Sequence, residues 1–259
     1  MSSESIPRFF IPPEAEEPAS FIEGGEVSLP QAEAHHAAHV LRLGPGNAVE
    51  IFDGRGGAAT GRLVAVERGS AIVRVQSVRP PAPRPKPTLR LAFAVPKGKR
   101  LDWLLEKATE LGAAALAPVR FARSVAGRKP LTPATRGRWL ARCIAAAKQA
   151  RVAHLPTLEP VRPLADVVTP STPAIVGALT DEAVPLANAL TAMARTGTPE
   201  SVHIYVGPEG GLTEEEREVL WNAGTTAVRL GQTVLRTETA AVALLAATAV
   251  ILNANAQDG

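Results

Sequence analysis

The chain has 259 residues, a formal net charge of +3 and one cysteine, Cys143, so it can bury a full core but has no disulfide framework. Its longest apolar run, residues 240–252, is too short to cross a bilayer, and its polar first seventeen residues do not resemble a secretory signal. These features exclude a membrane-spanning or disulfide-rich secreted protein, and we expect a cytoplasmic protein of one large or two modest domains.

The first part of the chain is predicted to form a small β-barrel or sandwich. Three β-branched runs, at residues 48–52, 58–66 and 71–78, are predicted strands, and an Asp-Gly turn follows the first of them. A short helix is predicted over residues 31–41. Five prolines within residues 79–87 then indicate an extended linker. We therefore predict a first domain at residues 1–79 and a linker at residues 80–88.

Strands and helices alternate after the linker, which is typical of a parallel sheet covered by helices. Thr213 and Glu216 have the spacing of a capping box, so a helix is predicted to begin there. Gly112 is predicted to end an earlier helix, and the second domain is predicted to cover residues 89–259. The other helices are predicted at 102–111, from 133 to about 151, and after Leu235. The strands are predicted at 89–95, 113–119, 174–179, 202–206 and 226–230.

The charge is unevenly distributed along the chain. Residues 68–101 contain nine Lys or Arg and no acid, and residues 111–158 contain nine more and again no acid. One basic run is more often a solvated face, but two acid-free runs favour a phosphate-rich partner. The chain has only ten aromatic residues, so contacts to folded RNA or DNA backbone fit better than a base-stacking platform.

A glycine-rich turn with the sequence Gly-Pro-Glu-Gly-Gly at residues 207–211 is the strongest local signal. It follows an apolar strand and precedes a capped helix, and ligands of open α/β sheets bind where strands end in such turns. Glycine lets the backbone approach a ligand closely, yet this turn is neither a phosphate loop nor the dinucleotide fingerprint. A second unusual turn, residues 230–240, follows about twenty residues later. The two turns together predict one composite cofactor pocket.

Several further motifs occur in a characteristic order. They are Pro-Arg-Phe-Phe-Ile at 7–11, His-Val-Leu-Arg-Leu at 39–43, Phe-Asp-Gly at 52–54, Pro-Lys-Gly at 96–98, Glu-Lys-Ala-Thr-Glu-Leu-Gly at 106–112, Arg-Ser at 123–124, Arg-Trp at 138–139 and Leu-Arg-Thr-Glu-Thr-Ala at 235–240. Together with the glycine-rich turn, they resemble the RsmE family of 16S ribosomal RNA uridine-N3 methyltransferases, in the SPOUT superfamily. The resemblance covers nearly the whole chain.

The resemblance implies a PUA-like RNA-binding β-barrel followed by an α/β SPOUT methyltransferase domain, with helices on both faces of a parallel sheet and a C-terminal trefoil knot. It also implies S-adenosylmethionine as cofactor, 16S rRNA in the 30S subunit as partner, a homodimer, and no metal. Three loops would surround the cofactor. Their implied cofactor-binding residues are Leu179, Thr180, Val206, Gly207, Pro208, Glu209, Gly210, Gly211, Leu230, Gly231, Val234, Leu235, Thr237, Thr239 and Ala240.

Arg236 is the predicted catalytic residue. Methyl transfer to N3 of uridine requires loss of the N3 proton, which spreads negative charge onto the neighbouring carbonyl oxygens, and a fixed guanidinium can stabilise that charge. The alternative is that Arg236 only shapes the loop through a salt bridge to Glu238 or Glu209. Glu209 is predicted to organise the turn, with proton acceptor as its alternative role. The residues predicted to contact RNA are Arg8, Arg42, Lys97, Lys99, Arg123 and Arg138.

Three other interpretations stay open. His35, His36 and His39 lie about one helical turn apart and could bind a metal, although no further ligand cluster follows, so a structural or RNA-contacting helix is favoured. A related enzyme could methylate a ribose 2′-hydroxyl, or the chain could be a ribosome-assembly protein without catalysis. The 235–240 motif and the N-terminal domain favour base methylation, and the intact glycine loops favour an enzyme.

Overall fold

A computed structural model describes residues 6–13, 21–67, 69–127, 129–195, 197 and 199–257. Much of the polar N-terminal segment, for which no secretory signal is predicted, lies outside these described residues. The described chain forms two compact units. The first unit comprises the described residues up to Arg84 together with Ala147–Leu155, and the second comprises Pro85–Ala146 and the chain from Pro156 onward.

The first unit is built on a five-stranded sheet. Its strands are β1 (Arg8–Phe10), β2 (Glu26–Ser28), β3 (Ala48–Phe52), β4 (Ala58–Glu67) and β5 (Ser70–Arg79). The strand order is β1-β3-β4-β5-β2, and all neighbours are antiparallel except the parallel pair β1 and β3. Helix α1 (Gln31–His35) continues into a π-helical turn, His36–Val40. The predicted strands at β3, β4 and β5 and the predicted helix are thus confirmed.

The segment Ala147–Leu155 also belongs to the first unit. The predicted boundaries at residues 79 and 89 placed this segment in the second domain. Arg8 is only 5% exposed, and its Nη1 donates hydrogen bonds to two carbonyls of this segment, at 2.9 and 3.0 Å. Its guanidinium lies 3.9 Å from the ring centre of Phe52 and 3.4 Å from Glu50. Arg151 binds the same carboxylate at 2.7 Å. These contacts join residues far apart in sequence, so no local pattern could predict them.

The second unit is built on an eight-stranded parallel sheet, with strand order β11-β13-β10-β12-β6-β7-β8 and with β9 also paired to β7. The strands are β6 (Thr88–Ala94), β7 (Ala115–Arg120), β8 (Thr157–Leu158), β9 (Arg162–Pro163), β10 (Ala174–Gly177), β11 (Val184–Pro185), β12 (Ser201–Val206) and β13 (Thr226–Arg229). The helices are α2 (Lys99–Glu110), α3 (Pro133–Ala150), α4 (Leu164–Val167), α5 (Leu186–Arg195), α6 (Glu214–Asn222) and α7 (Thr237–Gln257). The predicted parallel sheet is confirmed.

Helices cover both faces of this sheet, as predicted. On one face, Val176 and Tyr205 pack in the core formed with α4 and α6. On the other face, α7 contacts β6 and β12 and lies against α2 and α5. The alternation is clear in β10, where a Cβ on Gly177, next to Val176, would lie 2.9 Å from Leu244 of α7. Successive residues of a strand point to opposite faces, so one strand serves both cores.

The two predicted helix boundaries agree with the structure. The hydroxyl of Thr213 accepts a hydrogen bond from the Glu216 amide at 3.3 Å, and the Glu216 carboxylate accepts one from the Thr213 amide at 2.9 Å. This is the predicted capping box of α6. Gly112 has a φ of 77° just after α2, a conformation that glycine adopts readily. The apolar run 240–252 lies within α7, and no helix in the described ranges is long and apolar enough to cross a membrane.

A buried imidazole lies on β12. His203 is 8% exposed, and its Nδ1 has no hydrogen-bond partner. Burial, assisted by the positive charge of Arg90, lowers the pKa of His203 to about 4, while Glu159 opposes the shift. The Arg90 guanidinium binds both carboxylate oxygens of Glu159, at 2.7 and 2.8 Å. His203 is therefore neutral in the folded protein at neutral pH.

We predict that His203 makes the second unit less stable in mild acid. An unfolded histidine takes up a proton near pH 6.5 and the folded one only near 4, so stability falls as the pH falls through this window. His203 should remove about 2 kcal/mol of unfolding free energy between pH 7 and pH 5. Urea titrations followed by tryptophan fluorescence report on this unit, which contains all three tryptophans. His203→Phe should lessen the pH dependence by this amount, and an unchanged dependence would contradict the prediction.

Candidate active site

The carboxyl ends of three adjacent strands meet at one edge of the parallel sheet. β10 is paired with both β12 and β13, and Gly177 at its end lies opposite Val206 and Val228. The loops that follow these strands therefore emerge side by side. They enclose a pocket of about 470 Å³. This is the edge at which open α/β sheets bind ligands.

The pocket is lined by nearly all the residues predicted to bind a cofactor. Only Gly210 and Thr239 of that set are missing from the lining. Gly210 lies in the same loop, and its carbonyl oxygen accepts a hydrogen bond from Arg123 at 2.8 Å. Thr239 is exposed on the first turn of α7. The structure thus places the two unusual turns of the sequence around one cavity.

Two contacts fasten the glycine-rich loop to the start of α7. The Thr237 hydroxyl donates a hydrogen bond to the Gly207 carbonyl at 3.1 Å. Arg100, on the first turn of α2, lies between two carboxylates: its Nη1 is 3.6 Å from Glu209 and its Nε is 3.7 Å from Glu238. Sequence reasoning missed Arg100, because it stands in a short basic run and no local pattern separates it from its neighbours.

Arg236 lines the pocket, and its side chain is exposed. The structure contains no salt bridge from Arg236 to Glu209 or Glu238, and both carboxylates lie within 4.0 Å of Arg100 instead. Within the residues that the structure covers, Arg236 forms no ion pair closer than 4.0 Å. Its positive charge therefore faces the cavity without a carboxylate partner.

Arg123 binds the glycine-rich loop, a role that its charge alone did not indicate. It was predicted to contact RNA, but its Nη1 donates to the carbonyls of Gly210 and Leu212, at 2.8 and 3.3 Å, and its side chain lines the pocket. A Cβ on Gly210 would lie 3.2 Å from the Cβ of Arg123, which is a close contact. The neighbouring Ala122 amide donates to Glu216 at 2.7 Å. Arg123 thus holds the glycine-rich loop in place.

The other predicted RNA contacts differ in accessibility. The prediction that Arg8 contacts RNA is wrong. Its guanidinium is buried against Glu50 and Phe52, so it stabilises the first unit and is not available to RNA. Arg42 is exposed, with a φ of 52° just after the π-helical turn. Lys97, Lys99 and Arg138 are also exposed. Their role as RNA contacts stays a prediction.

The pocket combines apolar walls with an excess of positive charge. Leu179, Val206 and Leu235 supply apolar surface, and Glu209 is the only acid among the described lining residues. Four arginines line the same cavity. Sites of this kind suit a flat apolar ring system that also carries an anionic group.

The histidines of the first unit do not form a metal centre with other ligands in the described part of the chain. The rings of His35 and His39 lie 4.6 Å apart between centroids. Among the described residues, no group of three or more His, Cys, Asp or Glu side chains is placed to hold a metal ion. Burial and the positive charge of Lys148 lower the pKa of His36, which favours its neutral form.

Two family models match the chain. One is the RNA methyltransferase domain, over residues 83–249, and the other is the RNA methyltransferase PUA domain, over residues 29–76. The first covers the parallel sheet and the pocket, and the second falls within the first unit, from α1 to β5. The fold and the site thus define an RNA methyltransferase with a PUA-like N-terminal domain.

Similar proteins and structures narrow this class. Ribosomal RNA small subunit methyltransferase E of Mycobacterium tuberculosis is 35% identical over 234 residues, which cover 85% of this chain and 84% of that protein. The Bacillus subtilis protein of the same name is 28% identical over 232 residues, covering 87% and 90%. The Neisseria gonorrhoeae protein of this name, bound to S-adenosyl methionine, has a TM-score of 0.81 and 29% identity, covering 95% and 98% of the chains. The chain belongs to the ribosomal RNA small subunit methyltransferase E family, as its motifs predicted.

Proposed function

We propose that this protein uses S-adenosylmethionine to methylate N3 of a specific uridine in 16S rRNA of the small ribosomal subunit. The observation that carries the proposal is the three-loop pocket, lined by nearly every residue that the resemblance assigns to the cofactor. The family supports rRNA of the small subunit as the substrate, and the similar Neisseria structure supports the cofactor. The enzyme would act in the cytoplasm, where ribosomal subunits are found.

The residues of the pocket fit this cofactor. Apolar walls from Leu179, Val206 and Leu235 suit an adenine ring, and the surrounding arginines suit a carboxylate. A Cβ on Gly207 would lie 3.0 Å from Leu212 of the same loop, so glycine fits the close packing of this part of the pocket wall. The proposed binding residues are those of the predicted set, including Gly210 and Thr239, which are not among the lining residues. When bound, S-adenosylmethionine supplies an electrophilic methyl group.

Arg236 is the proposed catalytic residue. Loss of the N3 proton spreads negative charge onto the two carbonyl oxygens of the uracil ring, and a guanidinium placed in a pocket stabilises such charge. Arg100 contributes indirectly, because it pairs with Glu209 and Glu238 and leaves Arg236 without a carboxylate neighbour. The same pairing favours Glu209 as an organiser of the loop over Glu209 as a proton acceptor.

The finer architecture is also part of the proposal. We propose a SPOUT domain with a C-terminal trefoil knot, supported by the resemblance of the motifs at 207–211 and 235–240. We further propose a homodimer that uses α7, with no metal in the active site. Support comes from the apolar side chains that α7 and the loop before it expose: Val250 is 70% exposed and Val234 is 86% exposed. Exposed apolar surface of this kind is typical of protein interfaces.

Arg236→Ala should leave S-adenosylmethionine affinity unchanged and lower the turnover number about a hundredfold or more, as for removal of other charge-stabilising donors. Calorimetry measures binding, and methyl transfer to 30S subunits that lack the modification measures turnover. Arg236→Lys is the matched control, since it keeps the charge without the planar fork of donors and should be intermediate. Normal turnover of Arg236→Ala would remove Arg236 from the mechanism. A product methylated on ribose, identified by nucleoside mass spectrometry, would overturn N3 as the acceptor.

Gly210→Val should abolish cofactor binding. Its Cβ would approach Arg123 to 3.2 Å, and the two added methyl groups would displace the guanidinium that holds the loop. Gly137→Val is the control, because a Cβ on Gly137 in α3 has no neighbour within 4 Å. The measurement is a calorimetric titration with S-adenosylmethionine. Equal affinities for the two variants would show that the loop tolerates the side chain.

Val250→Asp should convert the dimer into a monomer, because it places a carboxylate on the apolar surface of α7. Light scattering after size-exclusion chromatography should give twice the 27.1 kDa chain mass for the wild type and 27.1 kDa for the variant. Val64→Asp, an exposed position on β4, is the control and should stay dimeric. A monomeric wild type would refute the proposed homodimer.

A further inference from the structure

We propose that a second pocket in the second unit binds an unpaired nucleobase of the RNA, close in sequence to the methylated uridine. The inference rests on the proposed function, because it assigns a further contact to the same substrate. The pocket has a volume of about 330 Å³. The residues that define it include Val95, Val125, Lys129, Leu131, Thr135 and Trp139.

The walls of this pocket suit a flat ring with a polar edge. Val125 is a large apolar side chain that is nevertheless 65% exposed, and Trp139 beside it is only 2% exposed. Lys129 and Thr135 add a cation and a hydroxyl to the lining. The indole N–H of Trp139 is buried without a hydrogen-bond partner. An apolar slot with a few polar groups is the form in which proteins receive unstacked bases of single-stranded RNA.

The charge around the pocket selects a polyanion. The described residues that line it include no acid, and most of them fall in the acid-free stretch 111–158. Each of the predicted RNA contacts Lys97, Arg123 and Arg138 stands within two residues of a lining residue. Cations around an apolar slot match a nucleotide, which presents a flat base and a phosphate. An acidic peptide would supply the charge but not the flat ring.

A short loop joins the second pocket to the cofactor pocket. Arg123 lines the first pocket and Val125, two residues later, lines the second. Three hydrogen bonds fix this loop: Phe121 amide to Ser124 hydroxyl at 3.1 Å, Ala122 amide to Glu216 at 2.7 Å, and Arg123 to Gly210 at 2.8 Å. The second pocket is therefore held at a fixed position beside the glycine-rich loop. In the proposed complex, a base next to the reacting uridine in the RNA chain occupies it.

Val125→Asp tests the site by placing a carboxylate on its apolar wall. We expect KM for 30S subunits to rise about tenfold, the size associated with loss of one base contact, while S-adenosylmethionine affinity stays unchanged. Ala192→Asp, at an exposed position of α5, is the matched control for added negative charge and should leave KM unchanged. Equal KM values for Val125→Asp and Ala192→Asp would overturn the proposal.

A photo-crosslink identifies what occupies the pocket. A diazirine-bearing leucine analogue in place of Val125 is irradiated with 30S subunits, and the crosslinked product is mapped by mass spectrometry. The expected product is a base of 16S rRNA adjacent to the uridine that the enzyme methylates. A crosslink to a ribosomal protein, or only to distant nucleotides, would refute the site. Methyl transfer by the wild-type protein to the same subunits tests the proposed function separately, so the two failures are distinguishable.

Discussion

The parallel pairing of β10 with both β12 and β13 is the constraint on which the active site depends. Parallel strands end at the same edge of a sheet, so the loops after the three strands must lie together. The glycine-rich loop and the loop before α7 are separated by a helix and a strand in sequence, yet the sheet makes them two walls of one cavity. Any slip of this register would move the walls apart.

Side-chain contacts then set the charge of the cavity. Arg100 pairs with the carboxylates of Glu209 and Glu238. Arg123 donates hydrogen bonds to the carbonyl oxygens of Gly210 and Leu212. Arg236, by contrast, has neither an ion pair closer than 4.0 Å nor a side-chain hydrogen bond among the described residues, so its charge faces the pocket. A carboxylate paired with an arginine offsets its positive charge, so the arginine would stabilise an anionic reaction centre less. Arg100 thus matters because it pairs with Glu209 and Glu238, so that neither carboxylate pairs with Arg236.

The elements with local signals were predictable, and those fixed by distant contacts were not. Hydrophobic runs predicted β3 to β7, β10, β12 and β13 to within a few residues, and the spacing of Thr213 and Glu216 predicted the start of α6. Strands of two or three residues, such as β1, β2 and β8, are too short to show an alternating pattern. The pocket walls were predicted from motifs, but Arg100 was missed because its two partners lie more than a hundred residues away. The prediction for Arg8 failed for a similar reason, since its partners come from two distant segments, residues 50–52 and 147–152.

Counting basic residues overestimates the surface that can meet RNA. In the acid-free stretch 111–158, Arg136 donates to a carbonyl, Arg142 lies 3.6 Å from Asp102, and Lys148 binds Glu33 at 2.7 Å. Much of the positive charge thus satisfies acids and carbonyls supplied by other parts of the chain. The exposed cations near the second pocket, Lys129 and Arg138, have no such ion pair within the residues described. Fewer cations are therefore available to RNA than the sequence indicates, and the proposed base-binding pocket has two of the available ones, Lys129 in its lining and Arg138 next to Trp139 in sequence. In the proposed interaction, the cations attract the RNA phosphates, and the pocket selects the unpaired base that binds.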